Sequence, residues 1–213
     1  ASGLRLGIAS EGAYGRHPLV PFLAQGLELM VLVDDARGLV IREHLVEEHP
    51  AYDQVIVSPA DDLDDFLARI GFPEQAVIVR PETPGPRDVA TKGLRARTDV
   101  ARAVAEIAGH ASDGRVLVQT DMRAHMNARR MATLARLADR FAARIATPCP
   151  DCAAPGFGLV RTEKGLPCAW CGGPSMLVKA QVFGCVACGW EERRPRPDGL
   201  VEADPGQCPV CNP

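Results

Sequence analysis

Eight cysteines, all after residue 148, fall into four Cys-x-x-Cys pairs: Cys149/Cys152, Cys168/Cys171, Cys185/Cys188 and Cys208/Cys211. Two residues between thiols is the spacing at which a tight turn aims both sulfurs at one metal ion. A disulfide framework shows more varied spacings and accompanies an export signal, and no signal peptide opens this chain. A reducing, cytoplasmic compartment and two Zn²⁺ ions are therefore expected, each ion held by four thiolates. Such a site is closed, with no coordination position left for water, so its expected role is structural. Spacing alone leaves the partners open. Joining the pairs in chain order gives loops of ordinary ribbon length. Joining Cys168/Cys171 to Cys185/Cys188 is the alternative, with "GGPSMLVKAQVFG" between them reading as a hairpin. Every cysteine is then a ligand, and none remains as a nucleophile.

Two quieter motifs carry groups suited to chemistry on a small molecule. In "ASEGAYGRHP", residues 9–18, a strand is expected to end in Ser-Glu-Gly and to pass into a loop. Ligand sites concentrate where loops leave strands, and a carboxylate there can bind Mg²⁺ or act as a base. Glu11 is the candidate catalytic carboxylate, with Ser10, Gly12 and the backbone of Gly15 lining a pocket. In "QTDMRAHMNARRM", residues 119–131, Asp121 falls where a strand gives way to a helix, a place equally suited to an N-cap. Asp121 is the second candidate catalytic residue. Arg123, with the free N–H groups of the first helical turn, is suited to an anion. Lys92, followed by Arg95 and Arg97, adds cations that could hold phosphate. No P-loop, dinucleotide fingerprint, nucleophile elbow or His-Glu-x-x-His motif is present.

These residues need a scaffold. Apolar, β-rich runs predict strands at 4–10, 27–35, 38–46, 54–59, 75–81 and 115–121. Helical periodicity covers 59–71, where Leu63, Phe66, Leu67 and Ile70 share a face, and 98–110, with Thr98 as the expected N-cap. A third helix is expected from about Ala124 to Ala146. It carries Arg129, Arg136, Arg140 and Arg144 on an exposed stripe, opposite Met131, Leu134, Ala138, Phe141 and Ile145. "VDDARGLVI" reads as a hairpin, and the Pro/Gly-rich 81–93 reads as an irregular loop. Alternating strands and helices predict an α/β fold, a mixed sheet with helices, over residues 1–147. The chain begins without Met and reads as strand almost at once, so this domain is expected to be N-terminally incomplete. Composition shifts at "ATPCP". Residues 148–213 are expected to form a small Cys-rich, zinc-ribbon-like domain with two Cys₄ sites, because so little apolar periodicity needs a metal staple. Trp170 and Trp190, in or beside the knuckles, are expected to pack over the metal sites.

Charge narrows the partners. The net charge is −3, and residues 147–213 hold six Lys/Arg against seven Asp/Glu. Each Cys₄ centre adds further negative charge, since four thiolates exceed one divalent ion. A nucleic-acid partner is thus disfavoured, and "RRPRP" (193–197) reads as a solvated loop. An anionic small molecule and a protein partner remain as expected ligands. No apolar run approaches the ~20 residues that a membrane helix needs.

The motifs "LGIASEGAYGRHP", "VQTDMRAHMNARRM", "GLPCAWCG", "RPDG" and "ADPGQCPVCNP" together resemble an uncharacterised bacterial family of unknown function. Its members carry Ala-Ser-Glu-Gly, Thr-Asp-Met-Arg-Ala and a Cys-rich tail ending in Cys-Asn-Pro. The resemblance runs from residue 4 to 213 and implies no established activity; members of that kind also carry an upstream segment missing here. The layout of the first domain is further similar to that of house-cleaning nucleoside triphosphate pyrophosphatases, which hold Mg²⁺ with acidic residues and phosphates with Lys/Arg. Two functions follow as expectations. One is metal-assisted hydrolysis of a phosphorylated or nucleotide-like small molecule, with Glu11 and Asp121 catalytic and Ser10, Gly12, Lys92 and Arg123 binding substrate. The other is a non-enzymatic zinc-ribbon module for a protein partner or nucleic acid.

Overall fold

The computed structural model describes residues 3–17, 20, 23–83, 85, 90–111 and 113–213. The chain divides into two compact units, each assembled from separated segments. Ser10–Met30 and His44–Ala138 make the α/β unit; Ala1–Ala9, Val31–Glu43 and Asp139–Pro213 make the Cys-rich unit.

Strands β1 (Leu6–Arg16), β2 (Ala24–Asp34) and β3 (Leu39–Glu47) form a sheet in chain order. The expected hairpin between β2 and β3 is present. Its turn is made by Asp34, whose carboxylate accepts from the backbone N–H groups of Ala36 (3.0 Å) and Arg37 (3.1 Å). That is an Asx-type turn, and Gly38 closes it in the left-handed region at φ 66°. β1 departs from expectation. It does not stop at Ser10 but runs on to Arg16, so Glu11 lies inside a strand rather than in a loop beyond one. The glycines at 12 and 15 stay extended, and the Tyr14 hydroxyl bonds to Glu28 on β2, which keeps the strand in place.

The core of the α/β unit is built from β4 (Gln54–Val57), α1 (Asp64–Ile70), β5 (Val77–Pro81), β6 (Thr91–Leu94), α2 (Arg97–His110) and β7 (Val116–Thr120). Its sheet runs β4-β7-β5-β6 with antiparallel neighbours. Val57, Val77, Val79, Val116 and Val118 meet Phe66, Leu67 and Ile70 of α1 and Val100, Val104 and Ile107 of α2. β-Branched residues suit a pleated, half-buried surface, and the i, i+3, i+4 spacing on each helix supplies the matching apolar stripe. Gly71 ends α1 at φ 79°, its N–H bonded to the last-turn carbonyls. Three details differ from the sequence reading. α1 starts at Asp64, five residues after the expected 59. α2 starts at Arg97 with Ala96 at the cap position, so Thr98 lies in the first turn and caps nothing. Part of the loop expected at 81–93 is strand β6, which pairs with β5 in the register Val77↔Leu94 and Val79↔Thr91. Residues 84 and 86–89 of that loop lie outside the described residues.

Helix α3 (Ala128–Ala146) follows a 3-10 turn at Ala124–Met126. Asn127, not Asp121, caps it: its side-chain oxygen accepts from the Arg130 N–H at 2.9 Å. Thr133, Leu137 and Phe141 are the buried positions, while Met131 is half-exposed and Ala138 faces solvent. The arginine stripe is exposed at Arg129, Arg136 and Arg140, as expected, but most of it is ion-paired rather than free. Arg136 bonds Glu47 at 2.7 Å and Arg140 bonds Glu43 at 2.9 Å. Arg144 is largely covered, with 9% of its side chain exposed, and donates to the carbonyls of Gly156 and Leu159. Carboxylates spaced along β3 draw the arginines in, and periodicity on α3 alone contains no sign of them.

The Cys-rich unit holds β8 (Gly158–Lys164), β9 (Val178–Gly184) and β10 (Glu191–Pro195), an antiparallel sheet ordered β10-β9-β8. "GGPSMLVKAQVFG" therefore holds one strand rather than a hairpin; its partners are β8, before the second Cys pair, and β10, after the third. Its first half is consumed by the turn after Cys171, where the Gly173 carbonyl accepts from Cys168 and Ser175 donates to Leu166.

Candidate metal centres and an arginine-lined cleft

The up-down-up path of β8, β9 and β10 carries the chain from one end of the sheet to the other between successive Cys pairs. Cys149/Cys152 precede β8 and Cys185/Cys188 join β9 to β10, at the end where Gly184 pairs with both Gly158 and Glu191. Cys168/Cys171 follow β8 and Cys208/Cys211 follow β10, at the opposite end, where Lys164 pairs with Val178 and Pro195 with Ala180. The pairs therefore interleave. Cys149, Cys152, Cys185 and Cys188 form one cluster and Cys168, Cys171, Cys208 and Cys211 the other. Neither the chain-order pairing nor the inner pairing occurs.

Both clusters fit a four-coordinate ion. Within each, all four sulfurs lie within 4.8 Å of one another. Cross-pair Sγ···Sγ separations are 3.8 and 3.7 Å in the first and 3.9 and 3.7 Å in the second. A tetrahedron of thiolates ~2.3 Å from a central ion has edges of about 3.8 Å, whereas a disulfide is ~2.05 Å long. In each pair the first cysteine is buried and the second is at least partly exposed. The turns repeat as well. The residue after the second cysteine donates its N–H to the carbonyl of the first: Ala153 to Cys149 (3.0 Å), Gly172 to Cys168 (2.9 Å), Gly189 to Cys185 (3.1 Å) and Asn212 to Cys208 (2.9 Å). Ala153, Gly172 and Gly189 reach this bond in the left-handed region, at φ 58°, 68° and 77°. Metal ligation requires thiolates. The N–H groups of Cys211 and Val210 favour one, holding the Cys208 thiol down to about 7 against the opposing effect of burial.

Around the first centre, Phe157 packs with Cys149 and Cys185, and Trp190 lies 5.4 Å from its ring centroid. Trp190 thus sits where expected, but Trp170 does not: it is 79% exposed at the tip of the second knuckle. The Ala169 N–H is committed to the Ala203 carbonyl, and the side chain beyond it turns to solvent. The basic run 193–197 is internally spent. Arg193 bonds Glu163 (2.7 Å), Arg194 bonds Glu192 (2.5 Å) and lies over the Phe183 ring, and Arg196 bonds Asp198 (2.5 Å). Little free cationic charge is left there for a phosphate backbone.

In the α/β unit, Asp121 is buried at the end of β7. Its carboxylate takes both prongs of Arg123, at 3.1 and 2.6 Å, and the Arg123 N–H besides. Burial works against the charge, but the guanidinium outweighs it and the Asp121 carboxyl titrates below the ordinary carboxylate range. The Gly93 N–H also points at Asp121, which draws β6 to this junction. Lys92, beside Gly93, is exposed. Glu11 is exposed on β1, and its recorded hydrogen bond is with the N–H of its neighbour Gly12. Strand alternation puts Ser10, Gly12 and Tyr14 on one face and Glu11 on the other. Among the described residues no hydrogen bond or ion pair joins Glu11 to Asp121 or Arg123.

What does converge is a set that the sequence reading passed over. Glu28 on β2 is fully buried, and Arg130 on α3 holds it through Nε at 2.6 Å and Nη2 at 3.3 Å. The Tyr14 hydroxyl donates to the same carboxylate, and Arg130 Nη1 donates to the Met122 carbonyl. Burial and then the Glu28 hydrogen bond push the Tyr14 phenol well above its usual range, so it stays protonated. Gly12 makes room for this pair: a Cβ there would lie 2.5 Å from Glu28 Oε2 and closer still to Arg130. Tyr14, Arg130 and Met122 are also walls of a cavity of about 270 Å³, completed by Arg129, Arg136, Thr133, Glu47 and the His49–Ala51 turn. Three guanidinium groups face one lining carboxylate, Glu47. That carboxylate is already engaged by Thr133 (2.6 Å) and Arg136 (2.7 Å), and it titrates below its usual range chiefly through Thr133. Among the described residues Arg129 has no recorded ion pair. The signal for Glu28 was present: a single carboxylate inside the apolar run "LELMVLV" has to find a cation when that strand is buried.

The chain belongs to the family described as Domain of unknown function (DUF6671), which matches it over residues 1–213. No curated protein and no solved structure matches it. No helix among the described residues is long and apolar enough to cross a membrane.

Proposed function

We propose that this member of the family binds a small phosphorylated molecule in the arginine-lined cleft, while two Zn²⁺ ions staple its Cys-rich unit. The observation that carries the ligand reading is the convergence of Arg129, Arg130 and Arg136 on one cavity whose lining carboxylate is already bonded. Arginine offers planar, paired donors that match phosphate oxygens, and a cavity wall of low dielectric strengthens them. Ala51, Ala132 and Met122 keep part of the wall apolar. The all-thiolate, tetrahedral donor sets suit Zn²⁺, and their closure suits a structural role.

Binding, rather than Mg²⁺-assisted hydrolysis, is the activity favoured. A divalent cation needs free carboxylate oxygens. Both Asp121 oxygens accept from Arg123, and the Glu28 carboxylate accepts from Arg130 and Tyr14. Gly12 serves the site by admitting the Glu28–Arg130 pair, and Arg123 serves it by neutralising Asp121, the chain neighbour of Met122. Ser10 shares the β1 face of Gly12 and extends the polar surface on that side.

Titration calorimetry on the zinc-loaded chain with a panel of phosphorylated metabolites tests the reading. At least one member binds with 1:1 stoichiometry, and Arg129→Gln with Arg136→Gln weakens it tenfold or more with the far-ultraviolet spectrum unchanged. Absence of binding across the panel, or undiminished binding in the double variant, overturns it. Metal analysis checks the staple independently, with two zinc ions per chain expected.

A further inference from the structure

A second cavity, of about 260 Å³, shares its wall with the arginine-lined one. His49, Pro50, Ala51 and Arg129 line both. Each alone lies below the ~300 Å³ at which small-molecule sites begin, while one ligand reaching across both would be of ordinary size. The two chambers differ in chemistry. The first is cationic, as described. In the second, Arg69 is tied to Asp53 at 2.9 Å, and Glu48 and Arg129 add one charge of each sign to its wall, so fixed charges balance. The rest of its wall is Tyr52, Leu23, Ala24 and Ile70, a half-buried aromatic ring among aliphatic side chains.

We infer that the ligand is a nucleoside monophosphate or a similarly built phosphorylated aromatic. Its phosphate lies among Arg129, Arg130 and Arg136, and its ring lies against Tyr52 in the second chamber. The Glu48 carboxylate only accepts hydrogen bonds, so it matches the hydroxyl and amino donors of a nucleoside and repels a second anionic group. An aromatic face stacks on a base in protein–nucleic acid contacts, and every base has such a face. Tyr52 therefore governs the strength of binding rather than the choice of base. A bisphosphorylated aliphatic molecule finds too few cations in the second chamber to match this.

The inference rests on the proposed anion site, and the two can fail separately. Titration calorimetry on the zinc-loaded full chain uses four probes: inorganic phosphate, ribose 5-phosphate, adenosine 5′-monophosphate and adenosine. Adenosine 5′-monophosphate is expected to bind at least tenfold more tightly than ribose 5-phosphate. Tyr52→Ala removes that advantage and leaves ribose 5-phosphate unchanged, while Tyr52→Phe retains it. Arg129→Gln weakens every phosphorylated probe. If ribose 5-phosphate binds as tightly as the nucleotide, or Tyr52→Ala leaves their ratio intact, the aromatic chamber is refuted and the anion site stands. If no phosphorylated probe binds, both are refuted. Tyr52→Phe losing the advantage as fully as Tyr52→Ala also overturns the ring contact.

Discussion

Arg130 on α3 grips Glu28 on β2 across 102 residues of sequence, with the carboxylate fully buried and the guanidinium side chain 15% exposed. A charge in such a place is tolerated only because its partner is there and the Tyr14 hydroxyl supplies a further donor. Arg130 also walls the proposed ligand cleft, so the pair joins the stability of the α/β unit to the shape of the site.

Removing one partner leaves the other charge stranded. Arg130→Met is expected to lower unfolding free energy by about 3–5 kcal/mol, read from urea denaturation in excess zinc. The double variant Glu28→Leu with Arg130→Met should lose far less, because no buried charge is left unpaired. Equal losses in the single and double variants would show that packing rather than charge dominates at this position.

Interleaved ligand sets make a prediction that chain-order sets do not share. Replacing Cys149, Cys152, Cys185 and Cys188 together by Ser should leave one zinc ion per chain, bound by the second cluster. Replacing Cys149, Cys152, Cys168 and Cys171 should leave none, because each cluster then loses half its ligands. Metal content measured by mass spectrometry distinguishes the two. One ion retained in the second variant would restore the chain-order pairing.

Ala153 stands at φ 58°, in the turn position that glycine fills after Cys171 and Cys188. A Cβ in this region costs ~1–2 kcal/mol. Glycine relieves that strain but adds freedom to the unfolded chain, so Ala153→Gly should stabilise the zinc-loaded protein by about 0.5–1 kcal/mol. Thermal melts at fixed free zinc read the shift, and an unchanged or lowered midpoint would count against strain at this turn.

Asp121 ties part of the stability to pH. Burial raises the carboxyl's pKa, but Arg123 more than offsets this, so the folded value lies below the unfolded one of ~3.9. A group depressed in this way contributes stability above its unfolded pKa and loses it as the pH falls through the folded value. Asp121→Asn should therefore destabilise at pH 7, with the gap to the parent chain closing as the pH drops below about 4. Denaturation midpoints across that window check it. A gap that stays constant would mean that Asp121 acts only through its hydrogen bonds.

Much of the scaffold is local and was legible. Valine-rich runs became β4, β5 and β7, and the apolar periodicity of 59–71 and 98–110 became α1 and α2, because burial of one face is encoded within each segment. Terminal details went astray where a neighbour decided them. β1 continues past Glu11 because Tyr14 is held by Glu28, and the exposed arginines of α3 are ion-paired because Glu43 and Glu47 wait on β3.

From the sequence alone came the eight cysteines able to hold metal, since two-residue spacing is a property of single turns, together with the alternation of strands and helices. Tertiary structure alone decided which cysteines cluster together, because a three-stranded meander returns the chain to the same end of the sheet at every second pair. It also moved the candidate ligand site from Glu11 to the cleft beside Glu28 and Arg130. A buried carboxylate and its cation can stand anywhere in the sequence, and only the folded chain brings the two within bonding distance.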